Sequence, residues 1–122
     1  MNKSQALHVF WNSFNIPAYD ENTVPDDAAM PYITYNVLTD SLGAVLPLSA
    51  TIWYRTSSWE QIQLKAEEIA HRIGGNGYVI TGLDNGYLWM VKGSPFAQRV
   101  SDENPDVRKM YINVTAEFLT AD

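Results

Sequence analysis
The sequence has no cysteine, which excludes disulfides, thiolate metal sites and thiol nucleophiles, and fits maturation in a reducing compartment. Basic residues are scarce, with eight Lys and Arg against fourteen Asp and Glu, for a formal charge of −6. That balance gives no overall attraction to phosphate or anionic lipid, so neither direct nucleic-acid binding nor membrane binding is expected. No apolar run reaches the length of a membrane helix or a signal peptide, since MNKSQALHVFWNSF alternates polar and apolar residues; the reading is cytoplasmic. Histidine is limited to His8 and His71, which form no H-x-x-x-H pair, and no G-x-S-x-G elbow is present. The expectation is therefore no enzyme, no resident metal and no cofactor.

What is present is the composition of a globular fold: 122 residues, 46% hydrophobic and 12% aromatic, enough for one domain around one core. From Ser4 to Phe14, the spacing of Leu7, Phe10, Trp11 and Phe14 predicts an amphipathic helix. Its apolar stripe needs a larger partner, because so short a helix is marginal in water. Turn-forming residues from Asn15 to Pro31 predict a loop, and the alternation from Tyr32 to Thr39 predicts a strand. Val45 to Thr56 is rich in β-branched and aromatic residues. Pro47 makes its first part an edge, a bulge or a loop, and Thr51 to Arg55 is the secure strand.

Ser57-Ser58-Trp59-Glu60 matches a capping box opening a second helix, whose stripe of Trp59, Ile62, Ala66, Ile69, Ala70 and Ile73 ends at Gly74-Gly75. Gly74-Gly75-Asn76-Gly77 follows a helix, not a strand, which suits a cap and turn better than a phosphate loop. Tyr78 to Leu83 and Tyr87 to Lys92 flank Asp84-Asn85-Gly86 as a hairpin. Gly93 to Asp106 shows little periodicity and reads as a long loop, whereas Val107 to Leu119 alternates throughout as a central strand. The order α-β-β-α-β-β-β predicts an α+β fold, with a mostly antiparallel sheet of four to five strands and two helices packed on one face.

Acids at Asp26-Asp27, Asp84, Asp102-Glu103 and Asp106 read as solvated loop residues, with calcium or partner contact as the alternative and no EF-hand spacing. Asn2-Lys3-Ser4 and Asn113-Val114-Thr115 match the glycosylation pattern only in form. The conspicuous feature is four Trp and seven Tyr in so small a chain. Trp11 and Trp59 fall on helix stripes and read as core. Trp53, Trp89, Tyr111 and Phe96 are candidates for interface anchors, where aromatics supply contact area at little entropic cost.

The opening helix, the phrase VPDDAAMPYITYNV, the unit WYRTSSWEQIQLKAEEIAHRI and the final strand RKMYINVTAEFL together resemble bacteriophage tail-terminator, or tail-completion, proteins over most of the chain. The resemblance rests on the order of elements more than on identity, and similar small folds occur among other head-tail joining and tail-tube proteins. It implies a homo-oligomeric ring, commonly of six copies, that caps the tail tube and contacts both the tail-tube protein and the head connector. The location implied is the virion tail or neck, after assembly in the bacterial cytoplasm. The loops Gly93 to Asp106 and Ser41 to Ser49 would then make the ring or tube contacts. Gln98, Arg99, Asp102 and Glu103 thereby join Phe96 and the other candidates, and an acidic lumen would let DNA pass without retaining it. A monomeric ligand-binding module is the alternative reading.

Overall fold
The computed structural model describes residues 1–122. Chain order is α1 (Lys3–Trp11), β1 (Ala18–Asp20), β2 (Tyr32–Tyr35), β3 (Ala44–Arg55), α2 (Glu60–Ile73), β4 (Tyr78–Leu83), β5 (Gly86–Val100) and β6 (Val107–Thr120). The strands form one curled sheet in the order β1-β2-β3-β6-β5-β4. The α+β class agrees with expectation, but the sheet has six strands and is mixed, because β1 pairs parallel to β2. Three residues of β1 are too few to show alternation, and residues 21–31 carry the chain back so that β2 starts alongside it.

The alternation of β6 sets the two sides of the sheet. Met110, Ile112, Val114, Ala116 and Phe118 face inward and are at most 2% exposed, and their partners Ile52, Ala50, Leu48, Leu46 and Ala44 face the same way. Both helices cover this inner side. The α1 residues Leu7, Phe10 and Trp11, together with Phe14 just beyond the helix, are buried with Ile62, Ala66, Ile69 and Ile73 of α2 in one continuous core. Helix α1 touches both β1 and β4, the opposite borders of the sheet, and so closes the curl. Phe10 reaches the Tyr78 ring at 5.4 Å, while the Asn12 side chain accepts a hydrogen bond from the Ala18 amide at 3.0 Å.

Local signals were used differently from their usual reading in several places. The capping box forms on α1, where Asn2 and Gln5 satisfy each other's backbone N–H groups. It does not form on α2. That helix begins only at Glu60, so Ser58 Oγ accepts from the Glu60 amide two residues on, as in a local turn. The end of α2 at Gly74, with φ of 72°, is as expected. The hairpin is present too, but the positive φ angles fall on Gly82 and Gly86, on either side of Asp84-Asn85.

Two segments expected to be irregular are strand. β3 is continuous from Ala44, and Pro47 is tolerated because of the direction in which its missing N–H would point. Ser49 exchanges bonds with Asn36 of the β2 side, so Pro47, two residues earlier, turns its nitrogen the same way, beyond the end of β2 at Tyr35. Only Ser41–Gly43 of the expected Ser41–Ser49 loop lies outside the strand. β5 likewise runs through Gly93–Val100, which leaves residues 101–106 as the connection to β6.

The run without periodicity at Gly93 is a bulge. Lys92 pairs with Val114 and Ala97 with Ile112, so four residues, Gly93–Phe96, stand opposite the single residue Asn113. Asn113 Nδ2 donates to the Pro95 carbonyl at 3.1 Å and closes the bulge. A Cβ on Gly93 would come within 2.8 Å of the Asn113 carbonyl oxygen, so glycine is required by the close approach of the two backbones. The register shifts by an odd number, and inward positions change from even (Leu88, Met90) to odd (Ala97, Arg99).

Adjacent residues on the two sides of β5 provide a test. Leu88→Ala removes a fully buried side chain and should cost about 2–5 kcal/mol. Tyr87→Ser, on the exposed side, should cost less than about 1 kcal/mol. Urea midpoints of the two variants check this, and comparable losses would mean that the two sides have been exchanged.

Candidate functional site
The outer side of the sheet carries no helix, and cross-strand register arranges its residues in rows. Near one end, Tyr32, Trp53, Lys109 and Val100 run across β2, β3, β6 and β5. The next row is Thr34, Thr51, Tyr111 and Gln98. Near the other end, Val45, Glu117, Trp89 and Val79 cross β3, β6, β5 and β4, followed by Leu119 beside Tyr87. Val45, Val79, Tyr87, Trp89 and Tyr111 are 38–56% exposed, the first four grouped near one end of this uncovered side and Tyr111 nearer the other.

The Trp53 end of this surface is held rigidly. Trp53 Nε1 donates to Thr34 Oγ1 at 3.0 Å, and its ring lies 6.1 Å from that of Tyr32, which in turn meets Tyr19 edge-on at 5.8 Å. Lys109 Nζ sits 5.1 Å from the Trp53 centroid and 3.4 Å from Asp102 Oδ1. Trp89 is fixed more lightly, by Nε1 donating to the Asn76 carbonyl at 3.2 Å. Aromatic side chains locked in this way lose little freedom when a partner covers them.

The eight residues singled out in the sequence do not form one cluster. Trp53, Trp89, Gln98 and Tyr111 share the outer side. Phe96 lies in the bulge, partly buried against the core. Arg99 faces the helices, with its guanidinium 4.8 Å from the Trp59 centroid and Nη2 3.4 Å from Gln63 Oε1. Asp102 and Glu103 are in the β5–β6 connection; Asp102 is half-buried and Glu103 exposed. Tyr87, Val45 and Val79 were not singled out. Their signal was present as the outward half of each strand alternation, once inward positions are fixed by burial.

Trp59 is half-buried and packs on the rim of the core. Arg108 also approaches its ring, at 5.4 Å, and its Nη1 and Nη2 donate to the carbonyls of Pro105 and Ser57. His8 is exposed and its Nδ1 lies 2.9 Å from the Tyr35 hydroxyl. Burial, with the nearby Asp20 charge adding to it, raises the Tyr35 hydroxyl above its usual pKa; burial and then Glu68 do the same for Tyr54. No three of the His, Asp and Glu side chains converge as a metal-ligand group. No helix is long and apolar enough to cross a membrane. Four surface grooves, of about 340 to 600 Å³, are open to solvent, and most residues lining each are polar or glycine.

No protein-family model matches the sequence, and no curated protein matches it. Among solved structures, the fold is similar to that of a chain in the virion of a native gene transfer agent (GTA) particle. The two align with a TM-score of 0.55 and 16% identity, over 91% of this chain and 82% of that one. At that identity the likeness is one of fold.

Asp102 offers a check on the Trp53 end. The Asn104 amide holds its carboxyl below the usual aspartate pKa, desolvation opposes that shift, and Lys109 adds to it. Lys109→Gln should therefore move the Asp102 midpoint only part of the way back up, as read by carboxyl NMR titration. A folded-state value below the unfolded one gives stability that is present above the unfolded pKa and lost as pH falls through the folded one. The variant should accordingly show a smaller acid-side loss, and full restoration of the Asp102 midpoint would mean that Lys109 dominates.

Proposed function
We propose that the chain is a structural subunit of a phage-like virion that assembles as a ring, caps the tail tube and joins tail to head through protein contacts. The observation that carries this reading is the outer sheet side: a rigid surface that no helix covers, on which Tyr87, Trp89 and Tyr111 are 38–45% exposed. Such anchors suit a permanent protein interface, where large, preorganised aromatic side chains dominate binding. The fold likeness to a chain in a virion particle agrees with it. Alternative occupants within the same reading are another head-tail connector or a tail-tube protein, because these also need a rigid sheet with a sticky side.

The test is the state of association of the purified chain by native mass measurement at several concentrations, with negative-stain electron microscopy of any oligomer. The expected result is a closed ring, and a Trp89→Ser/Tyr111→Ser double variant that keeps the wild-type fold but weakens association by at least about tenfold. A chain that stays monomeric at every concentration, with a small molecule retained in one of its grooves, would instead favour the ligand-binding module.

A further inference from the structure
Resting on the ring reading above, a second surface has chemistry that points to its occupant. At the end of the sheet where β3 stops and β6 starts, Arg99 and Arg108 stack on Trp59, and Arg55 stands at the same strand end, in register with Val107 and on the outward side of β3. None of the three guanidiniums makes an ion pair with a carboxylate of its own chain, because the only ion pairs are Met1 with Asp84, Lys65 with Glu68 and Lys109 with Asp102. Arg108 meets only carbonyl oxygens, and its Nε is buried without a hydrogen-bond partner. Arg55 and Arg99 are exposed. Arginines ordered over an aromatic ring, with donors left over, form a preorganised receptor for carboxylates.

The complementary surface is in the same sequence. From Ser4 to Tyr54 there is no Lys or Arg, and the acids Asp20, Glu21, Asp26 and Asp27 are concentrated where β1 leads towards β2. None of them forms an ion pair within the chain. β3 separates β1 and β2 from Arg108 on β6 and Arg99 on β5, and no ion pair joins these acids to Arg55 on β3 itself. We infer that the Arg55–Arg99–Arg108 surface of one copy receives the acidic segment Asp20–Asp27 of a second copy. The contact is head-to-tail, using two different patches, and so generates a ring if the rotation between copies closes. It adds a polar, orienting contact to the aromatic surface and makes association depend on salt.

The experiment uses two reversed variants of the full chain, Arg55→Glu/Arg99→Glu and Asp26→Lys/Asp27→Lys. Each is measured alone and in equimolar mixture at low ionic strength by native mass measurement, with far-UV circular dichroism as the check on folding. If Arg99→Glu disturbs the packing on Trp59, Arg55→Glu alone, outside that stack, keeps the test valid. Each variant alone should associate at least about tenfold more weakly than the wild type, because like charges then face one another. The mixture should recover association, since in an alternating ring every contact is again between opposite charges. Variants that form rings as well as the wild type, or a mixture that recovers nothing, would overturn the charge contact and leave the ring reading standing. A wild-type chain that is monomeric throughout would overturn both, which separates the two failures.

Discussion

The structure depends on the aromatic stripe of α1. The sheet curls so far that its first and last strands, β1 and β4, lie on either side of this helix, and Phe10, Trp11 and Phe14 fill the gap between them. Phe10 meets Trp11 and Phe14 edge-to-face at 4.9 and 5.4 Å, an arrangement that aromatic rings prefer to direct stacking. α2 then locks the turn after α1: Lys65 donates to the Phe14 carbonyl at 2.6 Å, and Arg72 donates to Ser13 Oγ while lying over the Phe14 ring. With a helix between them, the two outermost strands are partly shielded from edge-to-edge pairing. The same arrangement uses up the inner side of the sheet and leaves the outer side as the remaining large surface available to partners.

The bulge at Gly93–Phe96 is the second device, and it decides which side chains that surface displays. Without the odd shift in register, Gln98 would face the helices and Arg99 the solvent side. With it, Gln98 lies beside Tyr111 on the outer surface and Arg99 is delivered to Trp59. One irregularity thus serves two surfaces at once, which is a common use of bulges where a strand must re-aim its side chains. The cost is local, because Asn113 satisfies the Pro95 carbonyl that the ladder no longer reaches.

Much of this was legible in the amino-acid order. The stripe of α1, the end of α2 at Gly74, the hairpin around Asn85 and the long alternation of β6 all follow from local periodicity, and the structure has them. What could not be read is non-local. Pro47 looks incompatible with a strand until the length of β2 is known, and β1 is too short to have a period. Gly93–Val100 has no period because it contains a change of phase; an odd insertion turns a clean alternation into apparent irregularity. The aromatic candidates Trp53, Trp89 and Tyr111 were recognisable by residue type, and they do share the outer side. Their company of Val45, Val79 and Tyr87, and the separation of Arg99 from Gln98, needed the register.

The outer side is also selective in how it can be covered. Each of its two apolar rows is interrupted on β6 by one charge: Lys109 between Trp53 and Val100, and Glu117 between Val45 and Trp89. Lys109 already holds Asp102 at 3.4 Å, whereas Glu117 has no ion pair within the chain, so burying Glu117 without a base would cost more than the aromatic contact beside it returns. Covering the Val45–Trp89 row therefore calls for a base opposite Glu117. Unspecific stacking of one sheet on another, the hazard of any exposed aromatic surface, is thus opposed by Glu117 from the centre of the surface. The opposite signs at its two ends also give the surface a direction.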